Sequence, residues 1–428
     1  MKVFLKTLGC RLNESELERM GRTFRRFGHE IVKNADHAEM CVINTCAVTN
    51  DAGRKSRQLI YQAHRDAPEA EIVVTGCYSQ IEKEKVESMP GVAQVVDNIQ
   101  KDTLVQRILG VEEKEFDAEP MVRQSTPGEL GKTRAFLKVQ DGCKNRCTFC
   151  VTTIARGDSR SRSLESIVRE VHAAENAGYQ EIVLSGVHLG SWGREWDAEK
   201  ASDVGVLIQH LLDNTSIPRI RLSSLEPWDI PDDFFKLWAN PRMCRHFHIP
   251  LQAGCDRTLR RMARRTRVDL FRGLVEEARG LIPDLAISTD MIVGFPGETD
   301  EDFAESLDFA REMDFCHMHI FRYSPRPGTA AATMPNQIPG TLKAERSKAM
   351  HEVAAVSRQA FLNKALGQET SVLWEQKVEE NEEGILWQGL TDNYRKVRTR
   401  VPRPLHNQIT DVRLVELLDG DCLLGRLL

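Results

Sequence analysis

The chain has 428 residues, more than one typical domain of roughly 150 residues, and this length predicts about three domains. Its 58 Lys and Arg against 63 Asp and Glu give a formal net charge of -5, which excludes a polycation that binds nucleic acid over its whole surface. No apolar run approaches the roughly 18 residues that a membrane helix needs, and Lys6 interrupts the apolar start of a signal peptide, so we expect a cytoplasmic protein that does not bind membranes.

The first 122 residues alternate short apolar strands with helical patterns. The strand patterns are KVFLKTLGC, EMCVINTC and EIVVTGC, and a helical pattern such as ESELERMGRTFRRFG follows each of them. Apolar strands that alternate with helices favour a parallel sheet covered on both faces, so we predict an open, Rossmann-like parallel α/β domain over residues 1–122. The charged segment EEKEFDAEPMVRQSTPGELGK then predicts a linker, which we place at 123–132.

The alternation of strands and helices resumes in a second domain, predicted over residues 133–364. Its six strand patterns are AFLKV, EIVLSG, RIRLSS, HFHIPL, LAISTDMIVG and HMHIFRY. Thr299 and Asp302 fit a capping box at the start of one of the helices. Six units fall short of the eight of a closed barrel, so we predict a partial (βα)6 barrel whose open side admits a large substrate.

The last segment, residues 366–428, has a different sequence pattern. The patterns VLWE, GILWQGLTDNYRKVRTRV and TDVRLVELL are short strands broken by Gly and Asn. This pattern predicts a small β-barrel. The fold class expected for the whole chain is therefore α/β with a C-terminal β-barrel.

Three cysteines lie on one loop directly after the first barrel strand. In DGCKNRCTFC, Cys143, Cys147 and Cys150 are separated by three and then two residues. We call them the barrel cysteine trio. Three thiolates on one iron-sulfur cubane leave its fourth iron open for another ligand, whereas a structural zinc site uses four ligands. A zinc site or a structural loop remains the alternative at this point.

A second set of cysteines follows the strands of the first domain. Cys10, Cys46 and Cys77 each end a predicted parallel strand, so all three are expected at one edge of the sheet, where open α/β sheets bind ligands. We call them the N-terminal cysteine trio and predict a second cluster there. The alternative is three separately buried core cysteines. The other five cysteines show no partner spacing and are assigned to core positions: Cys41, Cys244, Cys255, Cys316 and Cys422.

These motifs resemble a known family from end to end. With LGCRLNESE, VINTCAVT, VVTGCYSQ, ARGDSRSR, IVGFPGETDEDF and YSPRPGT, the loop DGCKNRCTFC resembles the radical S-adenosylmethionine (radical SAM) methylthiotransferases across all three domains. QDGCKNRCTFC, ARGDSRSR and GVHLGSWG are most similar to the bacterial subgroup that methylthiolates threonylcarbamoyl-adenosine beside the tRNA anticodon. The last segment resembles a TRAM domain, an RNA-binding barrel.

The resemblance implies a catalytic role for all six cysteines of the two trios. The barrel cysteine trio is expected to hold a [4Fe-4S] cluster whose open iron binds S-adenosylmethionine, so that an electron from the cluster cleaves the cofactor to a deoxyadenosyl radical. The N-terminal cysteine trio is expected to hold an auxiliary [4Fe-4S] cluster that delivers the inserted sulfur. The expected partners are the tRNA anticodon stem-loop, a reductant protein such as flavodoxin or ferredoxin, and a sulfur donor, and the expected enzyme is a monomer.

Further contacts with S-adenosylmethionine are expected where barrel strands end, because barrel chemistry sits at the carboxyl ends of the strands. These positions are Ser185, Gly186, Glu226, Gln252, Asp290 and Ile292. The resemblance implies that Gly186 leaves room for the methionine amine and that Phe149 packs beside the adenine. It also implies that Glu226 and Gln252 meet polar parts of the nucleoside. That Gly186 only shapes a turn stays open as the alternative.

Three basic segments are candidates for RNA contact. They are RTLRRMARRTRVDLFR, with seven arginines in sixteen residues, the set Arg156, Arg160 and Arg162 after the cysteine loop, and residues 394–403 of the last barrel. Arginine suits phosphates and stacked bases, although a charge run is more often a solvated helix face.

Three functions are candidates. The first is methylthiolation of threonylcarbamoyl-adenosine at tRNA position 37, on C2. The second is methylthiolation of isopentenyl-adenosine tRNA or of an aspartate of ribosomal protein S12, and sequence spacing does not separate it from the first. The third, a non-catalytic iron-sulfur or RNA-binding protein, leaves the six barrel units and the strand-end cysteines without a use.

Overall fold

The computed structural model describes residues 1–111, 133–197 and 202–428. The linker expected at 123–132 lies outside these residues. Among the described residues, each helix is too short or too polar to span a bilayer.

Residues 1–111 fold around one fully parallel sheet of five strands. The strands are β1 (Lys2–Thr7), β2 (Glu30–Val32), β3 (Met40–Thr45), β4 (Glu71–Gly76) and β5 (Val92–Val96). The helices are α1 (Arg11–Arg26), α2 (Asn50–Asp66), α3 (Cys77–Ile81), α4 (Lys83–Glu87) and α5 (Leu104–Leu109). The strand order is β2-β1-β3-β4-β5, so the three strands that precede the cysteines are neighbours.

Both faces of this sheet are buried, as the sequence predicts. Val42 of β3 packs with Phe24 of α1 in one apolar cluster, and Ile43, the next residue, packs with Ile60 of α2 in another. Successive side chains of a strand point to opposite faces, so helices cover the sheet on both sides. The short edge strands β2 and β5 have no counterpart among the predicted strands.

The described residues between 133 and 363 form a partial barrel. Its strands are β6 (Ala135–Lys138), β9 (Glu181–Ser185), β10 (Arg219–Leu222), β11 (His246–His248), β12 (Ala286–Val293) and β13 (His317–Arg322), and a short antiparallel pair, β7 (Gln140–Asp141) and β8 (Arg160–Ser161), flanks the cysteine loop. The helices are α6 (Thr152–Arg156), α7 (Leu164–Asn176), α8 (Val204–Asn214), α9 (Asp256–Arg261), α10 (Val268–Leu281), α11 (Asp300–Met313) and α12 (Gly340–Asn363).

The six main strands run parallel in chain order, and they do not close into a ring. β6, β9 and β10 pair as one sheet and β11, β12 and β13 as another, while bridges such as Ser224 to His248 join β10 to β11. Within the described part of the chain, β6 and β13 are therefore the two free edges. This confirms the predicted partial barrel with an open side. The predicted capping box is present as well, with Thr299 and Asp302 each binding the other's backbone N–H at the start of α11.

Residues 369–427 form the predicted β-barrel. Its strands are β14 (Glu369–Asn381), β15 (Gly384–Thr391), β16 (Lys396–Val401), β17 (Ile409–Leu418) and β18 (Cys422–Leu427). They close in the order β14-β15-β16-β18-β17, and Trp374 and Val397 are fully buried inside.

A loop of this C-terminal barrel, residues 391–395, enters the bottom of the partial barrel; we call it the floor loop. Arg221 of β10 donates to the Asp392 carbonyl at 2.8 Å, and its guanidinium lies 4.6 Å from the centre of the Tyr394 ring. The Tyr394 ring also packs on His246, with centroids 4.4 Å apart. His246 begins β11, and Arg245, just before it, donates to Asp392 at 2.6 Å, so the floor loop covers the amino ends of the strands, opposite the cysteine loop.

Candidate functional site

The N-terminal cysteine trio lies at the carboxyl edge of the first sheet. Cys10 caps the start of α1, Cys46 directly follows β3, and Cys77 begins α3 directly after β4. β1, β3 and β4 are adjacent, so the three thiols converge at one place. The structure brings together the three residues that the strand-end pattern selected.

Close backbone approach keeps two of these thiols side by side. Gly9 has a φ of 121°, and a Cβ at this position would lie 2.9 Å from the Cys46 Sγ. Only glycine tolerates this φ and this space. Asn13 ties the same strands together, donating to the carbonyls of Leu8 at 2.7 Å and Thr45 at 3.3 Å.

Burial favours protonated thiols at two members of the N-terminal cysteine trio, Cys46 and Cys10. Burial, with a smaller contribution from the neighbouring Cys10 and Cys77, raises the pKa of Cys46 to about 11. Cys10 is exposed by surface area, yet the protein around the sulfur still desolvates a thiolate and raises the pKa of this residue too. A metal must therefore displace protons when it binds, as thiolate-ligated metals do.

The barrel cysteine trio lies on a loop that the barrel holds at several points. The Thr148 N–H donates to the Met262 carbonyl at 3.0 Å, and the Thr148 carbonyl accepts from the Ala331 N–H at 2.8 Å. Gly142 precedes Cys143 with a φ of 72°, and a Cβ there would lie 1.9 Å from the Asp158 carbonyl oxygen. The entry into the loop therefore requires glycine.

Backbone N–H groups point at two of these sulfurs. Asn145 donates to the Cys143 Sγ and Thr152 donates to the Cys150 Sγ, each at 3.4 Å. Burial raises the pKa of Cys147 to about 11, while Arg264, whose Nη1 lies 3.9 Å from its Sγ, acts to lower it. N–H and guanidinium groups around cysteine sulfurs stabilise thiolates and tune the potential of a bound cluster.

A cavity of about 610 Å³ adjoins the cysteine loop. Cys147, Cys150 and Thr153 line one part of it, and Gly328 and Thr329 line another. Its volume lies in the range typical of sites for small molecules and cofactors. Three adjacent thiols, N–H donors to the sulfurs and this cavity fit a cluster with one iron open to a small ligand. The N-terminal cysteine trio also brings three thiols together, so it too fits a cluster held by three cysteines.

His188 is a part of the site that the sequence analysis missed. Burial lowers the pKa of its imidazole, but hydrogen bonds to Asp229 and Cys143 outweigh burial and raise this pKa to about 9. His188 is therefore an imidazolium at neutral pH beside the Cys143 sulfur. The motif GVHLGSWG contains it, but nothing in the motif indicates that the imidazole faces the cysteine loop.

Most of the predicted cofactor contacts lie at the carboxyl ends of the barrel strands. Ser185 ends β9 and is buried, and a Cβ on Gly186 would lie 3.0 Å from the Gln140 Oε1. Phe149 packs edge-on against Phe295, with centroids 6.3 Å apart. The Gln252 N–H donates to the Asp290 carbonyl at 2.9 Å, and its carbonyl accepts from the Ile292 N–H at 2.8 Å.

Glu226 has a protein partner that the sequence did not indicate. Its carboxylate accepts from both terminal nitrogens of Arg264, at 3.1 and 2.5 Å. The Arg264 guanidinium also lies 4.5 Å from the centre of the Trp228 ring. Arg264 thus connects Glu226 to Cys147, and the cofactor role of Glu226 stays a prediction.

The matches to known proteins agree with this geometry. Residues 2–97 match the Uncharacterized protein family UPF0004, and residues 137–310 match the Radical SAM superfamily. The chain is 35% identical over 432 residues to the threonylcarbamoyladenosine tRNA methylthiotransferase MtaB of Bacillus subtilis (strain 168), covering 97% of this chain and 94% of that protein. The chain belongs to the radical SAM methylthiotransferase family.

A second kind of relative and a solved structure extend this comparison. The chain is 30% identical over 439 residues to the tRNA-2-methylthio-N(6)-dimethylallyladenosine synthase of Rickettsia conorii (strain ATCC VR-613 / Malish 7), covering 97% of each chain. The radical S-adenosylmethionine methyltransferase TsrM from Kitasatospora setae, with cobalamin and a [4Fe-4S] cluster bound, aligns with a TM-score of 0.56 over 77% of both chains at 14% identity, which shows a shared fold. As a radical SAM methylthiotransferase, the enzyme uses S-adenosylmethionine and a [4Fe-4S] cluster.

In this methylthiotransferase, Arg156 joins the two cysteine trios. It ends α6, just after the cysteine loop, and donates to Glu16 and Asp141 at 2.9 Å each and to Asn13 at 2.8 Å. The Asn13 Oδ1 also accepts from the Cys10 Sγ at 3.7 Å. One buried guanidinium of the barrel therefore reaches the neighbourhood of the N-terminal cysteine trio.

Further buried charges hold the first sheet against the barrel of the methylthiotransferase. Burial alone would raise the pKa of Glu16, but Arg156, Lys101 and Lys138 hold it well below its usual range. Lys101 lies 2.9 Å from the Glu16 carboxylate. Arg22 of α1 meets Glu170 of α7 at 3.1 Å. Removing one partner from such a set leaves a buried charge uncompensated.

Some of the arginines expected to contact RNA are instead part of the methylthiotransferase interior. Arg156 and Arg162 are 3% and 1% exposed and pair with protein carboxylates, which corrects the prediction for these two. In the arginine-rich segment, Arg264 is buried and Arg261 donates to Asp302 at 2.8 Å. In residues 394–403, Tyr394 belongs to the floor loop, and Arg395 pairs with Asp284 through both terminal nitrogens at 2.6 and 2.7 Å. The sequence shows where the arginines lie along the chain, but it does not show which of them are exposed to solvent.

Proposed function

We propose that this enzyme inserts a methylthio group at C2 of N6-threonylcarbamoyladenosine at position 37 of tRNA. The observation that carries the proposal is the pair of cysteine trios joined by Arg156, in a chain that aligns over nearly its full length with the Bacillus subtilis MtaB enzyme. The similarity to the Rickettsia synthase makes the dimethylallyl nucleoside the second candidate target.

Within this proposal the two trios have different roles. The barrel cysteine trio holds the cluster that binds S-adenosylmethionine, and the N-terminal cysteine trio holds an auxiliary [4Fe-4S] cluster. When bound, the first cluster supplies the electron that cleaves the cofactor to a radical, and the second supplies the sulfur. Phe149, Ser185, Gly186, Glu226, Gln252 and Ile292 are proposed to surround the cofactor, and Asp290 is considered below. Arg264 acts to lower the pKa of Cys147, and His188 hydrogen-bonds to Cys143.

The remaining parts of the proposal concern organisation and partners. We place a methylthiotransferase domain at 1–122, a radical SAM core at 133–364 and a TRAM domain at 366–428. We also propose a cytoplasmic monomer that receives electrons from a protein such as a flavodoxin or ferredoxin and obtains sulfide from a separate donor.

The proposed reaction is tested with synthetic anticodon stem-loops under anaerobic conditions. We expect reconstituted enzyme with S-adenosylmethionine and a reductant to convert a stem-loop that carries threonylcarbamoyl-adenosine at position 37, and mass spectrometry of the nucleosides to show the added methylthio group. A stem-loop with unmodified adenosine is the control and should stay unchanged. Product from the dimethylallyl stem-loop alone would replace the proposed target with the second candidate.

Binding of the stem-loop should depend on two cations beside the barrel cysteine trio. Lys144 and Arg146 are exposed and line the cavity at the cysteine loop. The double change Lys144→Gln and Arg146→Gln should weaken binding and reduce the slope of log affinity against log salt by about one for each cation. The matched control is Lys2→Gln with Arg65→Gln, since both residues are exposed and lie at the opposite edge of the first sheet. Equal salt slopes in the two double variants would contradict this assignment.

A further inference from the structure

Three polar side chains from adjacent strands meet inside the partial barrel, apart from both cysteine trios. They are His248 of β11, Asp290 of β12 and His319 of β13, and one ligand atom of each lies within 4.8 Å of the others. Strand register pairs Asp290 directly with His319. We call these residues the lumen trio.

The lumen trio faces the inside of the barrel. Met291, next to Asp290, points the other way into the apolar core between strands and helices. His246, which shares the face of β11 with His248, packs on Tyr394 of the floor loop. The trio therefore lies between the floor loop and the strand ends that carry the cysteine loop. His319 is exposed on β13, the strand at the open side, so a large substrate can reach it.

The contacts of His248 favour hydrogen bonding over metal binding. Its Nε2 lies 3.4 Å from the Asp290 Oδ1, and its Nδ1 lies 3.0 Å from the Ser288 Oγ. Nδ1 thus has a hydrogen-bond partner and Nε2 faces a carboxylate at ion-pair distance, whereas a metal ligand needs a nitrogen lone pair directed at the ion. His248 Nε2 lies beside one oxygen of Asp290, and the other oxygen can accept a hydrogen bond from a substrate.

The two candidate targets differ in what they offer such a group. The threonylcarbamoyl substituent carries ureido N–H groups, a hydroxyl and a carboxylate, whereas the dimethylallyl substituent carries only carbon and hydrogen. An acceptor at Asp290 and an imidazole at His319 match the polar substituent. An apolar substituent would desolvate both groups without replacing their hydrogen bonds, and sites built for polar groups reject such analogues strongly.

Building on the proposed function, we propose that Asp290 and His319 bind the polar, acidic substituent on N6 of the target adenosine, with His248 as the positioning residue for Asp290. Asp290 accepts a hydrogen bond from the ureido N–H or hydroxyl, and His319 donates to the carboxylate. The preference for threonylcarbamoyl-adenosine over its prenylated counterpart thus comes from the barrel lumen. This assigns Asp290 to the target nucleoside in place of S-adenosylmethionine.

The test compares kcat/KM for stem-loops that carry the threonylcarbamoyl or the dimethylallyl group. Wild-type enzyme should prefer the former by at least about 100-fold. His319→Leu and Asp290→Asn should each lower kcat/KM for it by about 10- to 100-fold and spare the dimethylallyl substrate. Deoxyadenosine formation without RNA should be unchanged in His319→Leu, because His319 is not assigned to the cofactor. His351→Leu is the matched control, since His351 is exposed on α12.

The positioning role of His248 has its own readout. His248→Leu should reduce the preference for the threonylcarbamoyl over the dimethylallyl stem-loop, as His319→Leu does. His248→Gln keeps a side-chain N–H donor for Asp290 and should restore most of this preference. An unchanged preference in the lumen variants of an active enzyme, or an equal loss on both substrates, overturns this inference and leaves the proposed function standing. One metal ion per chain beyond the clusters, lost in His319→Leu, also overturns it. Wild-type enzyme inactive on the threonylcarbamoyl stem-loop overturns the proposed function and this inference together.

Discussion

Cys147→Ala is expected to abolish deoxyadenosine formation, whereas Cys46→Ala is expected to preserve it and to abolish methylthiolation. Even groups that contact a metal ligand from outside its coordination sphere change activity by about 10- to 100-fold, so loss of a ligand should reduce the affected activity by at least about 100-fold. The split is expected because the two cysteines belong to different trios at the ends of different sheets. Quantifying deoxyadenosine and methylthio product in one anaerobic reaction measures both activities.

The iron content of the protein is a second test of whether each cysteine trio holds its own cluster. Reconstituted wild-type enzyme should contain about eight irons per chain, and replacing all three cysteines of either trio should leave about four. Cys41→Ala and Cys255→Ala are matched controls, because both cysteines are buried outside the trios. Deoxyadenosine from the Cys147 variant, or about four irons in the wild-type enzyme, would contradict the assignment of two clusters.

Arg156→Met is expected to lower the free energy of unfolding by about 3–5 kcal/mol, because it removes one partner from a buried charge network. Glu16 and Asp141 each lose a 2.9 Å contact, and Asn13 loses its link to the barrel. Urea denaturation of the cluster-free protein measures the change. Arg54→Met, which removes an exposed pair with Asp51, is the control and should cost less than about 1 kcal/mol. Similar losses in the two variants would show that the network does not fasten the sheet to the barrel.

The same network has a predicted pH dependence. Burial would raise the pKa of Asp141, but Arg156 and Lys138 hold it at about 2, below its ordinary value of 3.8. A carboxylate with a lowered pKa stabilises the folded state fully above about pH 4, and this contribution is lost as the pH falls toward 2. The loss of stability over this interval should be smaller in Arg156→Met than in the wild-type protein.

The sequence could place the N-terminal cysteine trio at one sheet edge because a general rule of topology applies to it. Residues that directly follow parallel strands share one edge, so Cys10, Cys46 and Cys77 were placed together without knowledge of any long-range contact. The six barrel strands were recognisable for a similar reason, since each is a short apolar or alternating run between helical patterns. The edge strands β2 and β5 were missed, because each is a brief stretch with little periodicity.

The partners of buried charged residues could not be predicted in this way. Arg156 and Glu16 are 140 positions apart, and neither lies in a pattern that names the other. The sequence therefore indicates only that Arg156 belongs to a basic cluster, which predicts RNA contact. The lumen trio was hidden for the same reason, because the pairing of Asp290 with His319 depends on the register of β12 against β13.

The floor loop has a consequence for how truncated forms of this enzyme behave. A C-terminal barrel that is proposed to bind RNA would ordinarily be treated as a separate domain, and its deletion as a direct test of RNA affinity. Here residues 391–395 cover the amino-terminal end of the partial barrel, where Tyr394 packs against Arg221 and His246. Removing the C-terminal barrel would expose this end of the partial barrel to bulk water. Weak activity of a shortened chain would therefore reflect water entry into the barrel as much as weaker substrate binding.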